Sequence, residues 1–345
     1  GRLGAFFPRI RTAALTQPDF PMRRPKAILM MSKAAYDAVL PSPEREAFHR
    51  LLDVVEVIHD RPAALASRNT RWSEVELLVT GWGVPALDEA IMAKLPALRA
   101  IFHTAGTVKA FVTEAVWDRS VAVTSAALAN AQPVAEFTCA QIVFALKRVW
   151  PRVFAIREAR RFGRDDPYAV GAFGSTVGLL ALSKIGRLVR ERLRLLDVEV
   201  IAYDPTVSPA EAGELGIELA SLDEVFARSH VVSCHLPLLP ETRGLLRRHH
   251  FESMRPGAAF INTARDEIVC EPEMAEALAR RLDLWALLDV TAEEVPSLET
   301  PLYRLPNVVL TPHIAGSIGS ECRRMSRMML DEIGRYLRGE PLVGE

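Results

Sequence analysis

Residues 176–187 read TVGLLALSKIGR. The run from Thr176 to Leu182 is short and almost wholly apolar, as a strand covered on both faces is, and a basic helical stretch follows from Lys184 to about Leu195. A strand that turns at once into a helix presents free backbone N–H groups at the turn, where a dinucleotide fold seats a pyrophosphate. The turn Ala181-Leu182-Ser183-Lys184-Ile185-Gly186 keeps only the last glycine of the G-x-G-x-x-G fingerprint, which alone is weak evidence. Its neighbours strengthen it. Ser183 is small, with a hydroxyl that could donate to a phosphate, Lys184 and Arg187 bring positive charge to the helix start, and the next strand, VEVIAYD, ends in Asp204. An acid about 20 positions beyond the turn is placed to accept from ribose hydroxyls and to repel a 2′-phosphate, which predicts NAD rather than NADP. The competing reading is that Asp204 merely opens the turn Asp-Pro-Thr.

Working outward, VVSCHLP, AAFINTA, LWALLDV and NVVLTPH continue the alternation, with helices predicted around Leu222 to Ala227 and Pro272 to Arg281. Six strands joined by crossovers are the doubly wound count. Upstream, AILMMS, VVEVIH, VELLVT and LRAIFHT form a second alternating series. The fold class is therefore α/β, with two doubly wound parallel-sheet domains. Between them, residues 132 to about 161 read as one long helix that Pro151 should kink or split. A terminal helix from about Glu321 to Leu337, with Met325, Met328, Met329, Ile333, Tyr336 and Leu337 at helical spacing, is expected to pack back on the first domain.

Three polar residues stand at strand ends in the second half: Arg265 in INTARDEIV, Glu294 in LLDVTAEEVP and His313 in NVVLTPHIAGS. Arginine grips a carboxylate in two bonds and stays charged. Histidine titrates near neutrality, and a neighbouring carboxylate fixes its tautomer and favours its charged form, which makes an acid–base pair. A surface Arg, a solvated Glu and a capping His are each commoner taken singly. Their coincidence at the C-terminal strand ends of one sheet weakens those readings.

The totals fit. A chain of 345 residues exceeds what one core usually organises, and 49% hydrophobic with 25% charged residues is a folded composition. A formal net charge of -1 gives no electrostatic reason to expect nucleic acid or an anionic membrane as partner, so a small molecule is expected. Cys139, Cys234, Cys270 and Cys322 form no CxxC pair or zinc spacing, so no metal is expected and a reduced, cytoplasmic setting is. No apolar stretch reaches membrane-spanning length, and no signal peptide is evident. Residues 1–25 read as an extension or loosely attached arm.

Taken together, LRAIFHTAGTV, NAQPVAEFTCAQIVFALKR, TVGLLALSKIGR, VIAYDP, HLPLLPETRGLL, MRPGAAFINTAR, LLDVTAEE and LPNVVLTPHIAGS resemble the D-isomer-specific 2-hydroxyacid dehydrogenases. That family includes phosphoglycerate, glyoxylate/hydroxypyruvate, D-lactate and formate dehydrogenases. The segments run in family order from about residue 98 to 317. The resemblance implies hydride transfer between NAD(H) and a 2-keto or D-2-hydroxy acid. It further implies a Rossmann-type NAD domain, residues 132–315, inserted in a flavodoxin-like substrate domain of residues 26–131 and 316–345, with a homodimer formed through the NAD domain.

By the same resemblance Arg265 orients the 2-keto acid, His313 is the proton donor or acceptor, and Glu294 tunes it. Cofactor contacts fall to Ser183, Lys184, Ile185 and Gly186 at the turn, Asp204 at the ribose, and Asp289 at the nicotinamide carboxamide. His235, Pro237 and Thr242, then Thr263, Ala264 and Gly316, complete the implied set. Backbone groups of the loop from His103 to Val108, with Ala105, Gly106 and Thr107 at its centre, are implied to meet the substrate carboxylate, and Trp82 follows the preceding strand. His103 or Lys109 with Trp82 could give the pocket one cationic and one aromatic wall; core or solvent-facing positions are the equal alternative.

The chain departs from the family pattern at Ala181, Ser183, Asp266 and Cys270. Ala181 is a mild change if its φ is negative, whereas Ser183 adds bulk where backbone must approach the pyrophosphate. A second function class, an NAD(H)-sensing or corepressor-like binding protein of the same fold, would not need the Arg265, Glu294 and His313 trio.

Overall fold

The computed structural model describes residues 23–163 and 165–344; most of the N-terminal arm expected from the sequence lies outside them. The chain divides into two compact units. One takes the chain up to Ala127 and again from Arg323, and the other is Leu128–Cys322.

The first unit holds β1 (Lys26–Met30), β2 (Asp53–Ile58), β3 (Leu77–Thr80), β4 (Ala100–His103) and β5 (Ala122–Ser125). All pair in parallel in the order β2-β1-β3-β4-β5. This is the flavodoxin-like order. The strand β5 was not among the expected ones; AVTS is short and half polar, and is half-buried at its start. Ile28, Met30, Leu78 and Ile101 from the sheet pack with Trp72, Leu95, Phe111 and Val116 from the crossovers. The terminal helix, Cys322–Leu337, buries Met325, Met329 and Ile333 completely. The buried Glu44 carboxylate accepts from the guanidinium groups of Arg323 at 2.9 Å and Arg327 at 3.2 Å on that helix.

The second unit holds β6 (Ser175–Leu180), β7 (Val198–Tyr203), β8 (Glu218–Leu219), β9 (Val231–Cys234), β10 (Ala259–Asn262), β11 (Trp285–Leu288) and β12 (Val308–Leu310). They pair in parallel in the order β12-β11-β10-β9-β6-β7-β8. The six expected strands are joined by β8, whose two residues are too short to read by periodicity. Chain order reverses between β6 and β9, the switch point at which a doubly wound sheet opens a crevice at its C-terminal edge. Both faces are covered. Val177, Leu179, Val231, Ile261 and Leu287 face one core, while Leu180, Val232, Cys234, Phe260, Ala286 and Leu288 face the other. Burial on both faces is why these strands read as continuous apolar runs.

The long connector is two helices, Ala127–Leu146 and Val149–Ala159. They part at Arg148, whose φ is +52°, and not at Pro151. Pro151 sits in the first turn of the second helix, where a missing N–H costs nothing.

Candidate active site

All seven strands of the second unit run the same way, so the residues following β6, β7, β9, β10, β11 and β12 share one edge of the sheet. That edge collects the turn 181–186, Asp204, His235, Arg265, Asp289, Glu294 and His313.

At the turn, Ser183 is the N-cap of the helix Lys184–Leu193. Its hydroxyl accepts from the Gly186 N–H at 3.4 Å and donates to the His235 carbonyl at 3.0 Å. The one hydroxyl proton is thus spent within the protein, which corrects the expectation that it donates to a phosphate. Ala181 has a φ of +75°, so the condition for a mild replacement fails: this alanine holds the left-handed conformation that glycine adopts freely. Gly186 explains how helix and strand approach. A Cβ there would lie 2.2 Å from the Ala181 carbonyl oxygen. Lys184 and Ile185 form the first helical positions, while Arg187 pairs with Glu211 at 2.7 Å.

Asp204 lies beside this turn. Its carboxylate accepts from the Leu182 N–H at 2.8 Å and from the Thr206 N–H and hydroxyl at 2.9 and 2.7 Å. Burial pushes its carboxyl up, but the Thr206 and Leu182 hydrogen bonds and the charge of Arg187 outweigh that and hold it below the usual range. Ionised, the group keeps acceptor capacity for a ribose hydroxyl. A helix N-terminus, a glycine in close approach and an ionised acid at the β7 end form a donor and acceptor set that fits a dinucleotide.

Around the edge, His235 is buried and its imidazole is pushed down to about 3 by burial. Its Nε2 lies 3.0 Å from the Ser233 hydroxyl. Thr242 ties its own loop, its hydroxyl donating to the Pro237 carbonyl at 2.6 Å. Thr263 pairs with the Thr138 hydroxyl at 3.0 Å. Gly316 lies against the Asn130 side chain, which accepts from the Ser317 N–H at 2.9 Å.

The trio has a defined geometry. Nδ1 of His313 lies 3.0 Å from both carboxylate oxygens of Glu294. An Nδ1–H shared between them leaves Nε2 to face outward, and no described residue bonds to it. The backbone of His313 is left-handed, with φ +53°. The Arg265 side chain is exposed, with its guanidinium donating to the Ala264 carbonyl at 2.6 Å and no carboxylate in ion-pair range among the described residues. Asp266 beside it is pushed up to about 6, by burial first and then by Glu267.

Sequence reasoning missed two supports. Asn262, almost fully buried at the end of β10, accepts from the Ala264 N–H at 3.0 Å and donates to the Arg265 carbonyl at 3.2 Å, folding the turn that presents the guanidinium. Thr311 donates to Asp289 at 2.5 Å. An Asx residue at a strand end two positions before a turn is the readable signal for the first.

In the other unit, Ala105 is buried, Gly106 partly exposed, and Thr107 and Lys109 exposed. Trp82 is 39% exposed. His103 is buried with Nδ1 2.9 Å from the Thr80 hydroxyl, and burial pushes it down to about 4. It is neutral near pH 7, which removes it as a cationic wall. Asp223, His249 and His250 cluster at the surface of the second unit. There the His250 Nδ1 accepts the Arg247 N–H at 2.9 Å, so the proton on Nε2 faces Asp223 rather than leaving a lone pair for a metal. No helix among the described residues is long and apolar enough to cross a membrane.

Comparison with known proteins agrees with this geometry. Residues 140–315 match the family model described as "D-isomer specific 2-hydroxyacid dehydrogenase, NAD binding domain". D-3-phosphoglycerate dehydrogenase of Mycobacterium tuberculosis is 34% identical over 254 residues, and that of Archaeoglobus fulgidus 30% over 256. Each match takes in 74% of this chain and 48% of the relative, so the chain spans about half the length of the curated relatives it matches. A solved Thermus thermophilus protein is 27% identical, with a TM-score of 0.71 over 92% of this chain and 99% of that one. D-mandelate dehydrogenase of Rhodotorula graminis shares the fold, with a TM-score of 0.77 at 21% identity over 93% and 97% of the two chains. The second unit is an NAD-binding domain, and the chain belongs to the D-isomer specific 2-hydroxyacid dehydrogenase family.

Proposed function

We propose that this chain interconverts a 2-keto acid and the corresponding D-2-hydroxy acid, with His313 moving the proton and Arg265 holding the substrate carboxylate. The observation that carries the reading is the His313–Glu294 pair. With Nδ1 committed to the carboxylate at 3.0 Å, the free Nε2 can deliver a proton to a developing alkoxide or take one from a hydroxyl. The Arg265 guanidinium, exposed and without an ion pair among the described residues, stands on a turn whose backbone Asn262 holds, and suits a carboxylate in two parallel bonds. NAD supplies the hydride acceptor or donor when bound. The turn at Ser183 to Gly186 would hold its pyrophosphate, Asp204 its ribose and Asp289 its carboxamide, with His235, Pro237, Thr242, Thr263, Ala264 and Gly316 lining the remainder.

The first unit carries the substrate-binding share of this reading, through Ala105, Gly106, Thr107 and Trp82. The exposed Phe144, Phe154 and Phe173 of the second unit support a homodimer formed there, which light scattering would test.

The test of function is NADH oxidation with glyoxylate, hydroxypyruvate, pyruvate, phenylpyruvate and 3-phosphohydroxypyruvate. The last heads the panel because both curated relatives described above are phosphoglycerate dehydrogenases. Turnover that drops by about 10² to 10⁴ in kcat on His313→Gln is the expected result. Tight NADH binding with no turnover on any substrate would replace this reading with the sensor-like one.

A further inference from the structure

We infer that Asp289 is a positioning residue for His313, folding the loop that carries the histidine around its own buried carboxylate. The inference rests on the proposed role of His313.

Asp289 follows β11 directly and is 3% exposed. Its Oδ1 accepts from the Thr311 hydroxyl at 2.5 Å and the Ile314 N–H at 2.9 Å, and its Oδ2 accepts from the Ala315 N–H at 2.8 Å. The Asp289 carbonyl accepts from the His313 N–H at 3.0 Å, and the Leu288 carbonyl from the Thr311 N–H at 3.0 Å. Pro312 has no N–H. Every backbone donor from residue 311 to 315 therefore reaches Leu288 or Asp289, the His313 N–H being shared with the Thr311 carbonyl at 3.0 Å. Successive N–H groups converging on one anion form a backbone nest.

This arrangement bears on the histidine in two ways. His313 is left-handed at φ +53°, a conformation that costs an L-residue about 1–2 kcal/mol and persists only where its surroundings over-determine it. The bonds on either side, from Thr311 and from Ile314 and Ala315, supply that constraint. They also fix the direction in which the imidazole leaves the loop, and that direction brings Nδ1 to Glu294.

A carboxylate is required. Asparagine offers one acceptor oxygen in place of two, and its NH₂ would face an N–H donor of the loop. The carboxylate accepts three bonds within the chain and has one acceptor position left, so contact with a carboxamide and support of the loop are separable roles.

The experiment uses the full chain without cofactor, labelled with ¹⁵N-histidine. Long-range ¹H–¹⁵N spectra at alkaline pH read the tautomer of His313, assigned by its loss in His313→Gln. The parent is expected to hold the proton on Nδ1, and Glu294→Gln marks the signal of a released ring. Asp289→Asn should move the tautomer ratio toward that of Glu294→Gln. It should also lower kcat for 2-keto acid reduction by up to about 100-fold, with the KM for NADH changed less than kcat. Thr311→Val, which removes the hydroxyl bond to the same carboxylate, should move the ratio the same way by less. An Asp289→Asn spectrum with the parental tautomer, coupled to lost NADH affinity, would overturn the inference and leave Asp289 as a cofactor contact. If Asp289→Asn does not fold, an unchanged tautomer in Thr311→Val overturns it equally. Absence of turnover in the parent would sink the proposed function separately, because the tautomer is read without substrate.

Discussion

Gly186→Ala tests the cofactor turn most directly. The added Cβ would stand 2.2 Å from the Ala181 carbonyl oxygen and 3.2 Å from its carbonyl carbon. Both atoms are backbone, in a residue already at φ +75° and fastened by its own N–H to the Tyr203 carbonyl at 2.8 Å. No side chain can rotate away, so helix and turn must part by about 1 Å to restore van der Waals contact. Overpacking of this kind costs about 1–3 kcal/mol. At roughly 2–4 °C per kcal/mol for a domain of this size, the melting temperature should fall by roughly 2–12 °C. The movement also carries the N–H groups of the helix start away from a bound pyrophosphate. Losing one hydrogen bond to a charged group, about 1.5–3 kcal/mol, weakens NADH roughly 10- to 100-fold. Thermal unfolding and NADH fluorescence titration are the assays. Ser183→Gly is the control, since glycine at an N-cap costs only a few tenths of a kcal/mol. If Gly186→Ala melts with the parent and binds NADH as tightly, the pyrophosphate does not sit on this turn.

Other consequences can be checked with the same protein. The ratio of kcat/KM for NADH over NADPH should be large and should shrink markedly in Asp204→Asn, which keeps hydrogen-bonding capacity and removes the charge that opposes a 2′-phosphate; an unchanged ratio would remove Asp204 from the ribose site. Arg265→Lys should raise KM for the 2-keto acid and lower kcat, because a point charge cannot copy a two-pronged grip, whereas NADH binding should be spared. His103 carries a pH signature for the first unit. Its folded value of about 4 lies below the ordinary 6.5, so the stability it contributes is whole above pH 6.5 and is lost as pH falls toward 4. At about 1.4 kcal/mol per pH unit the loss approaches about 3 kcal/mol. Urea unfolding across that window should show the slope, and His103→Gln should flatten it.

The fold was legible where burial on both faces leaves unbroken apolar runs, as in TVGLLAL and AAFINTA, and where crossovers carry helical spacing. It was not legible at β5 and β8, whose pairing is set by neighbouring strands and not by their own pattern. Pro151 misled for a physical reason. The first turn of a helix has no use for the N–H that proline lacks, so the break fell at Arg148 instead, where the guanidinium bonds the carbonyls of Gly257 and Asp283 at 2.9 and 3.0 Å. For His103 pocket wall and core were equal alternatives because sequence carries no sign of which strand residue turns inward; its burial against Thr80 follows from the tertiary fold.

The site itself shows a sharper division. Arg265, Glu294 and His313 could be singled out because charge at strand ends is visible in a sequence. Two backbone conformations could not. Of the five non-glycine residues with positive φ among those described, Ala181 follows β6 directly and His313 lies three residues beyond β12, both on the edge that carries the other site residues. Both are fastened at the N–H, Ala181 to the Tyr203 carbonyl and His313 to that of Asp289, and a neighbouring strand fixes each in this way. Such conformations persist where surrounding structure enforces them, and they gather where geometry is used rather than where it is cheapest. A family pattern that expects glycine at position 181 marks the requirement for a left-handed turn. The alanine there meets it under strain, at φ +75° in the strand-to-helix reversal between Leu180 and Lys184.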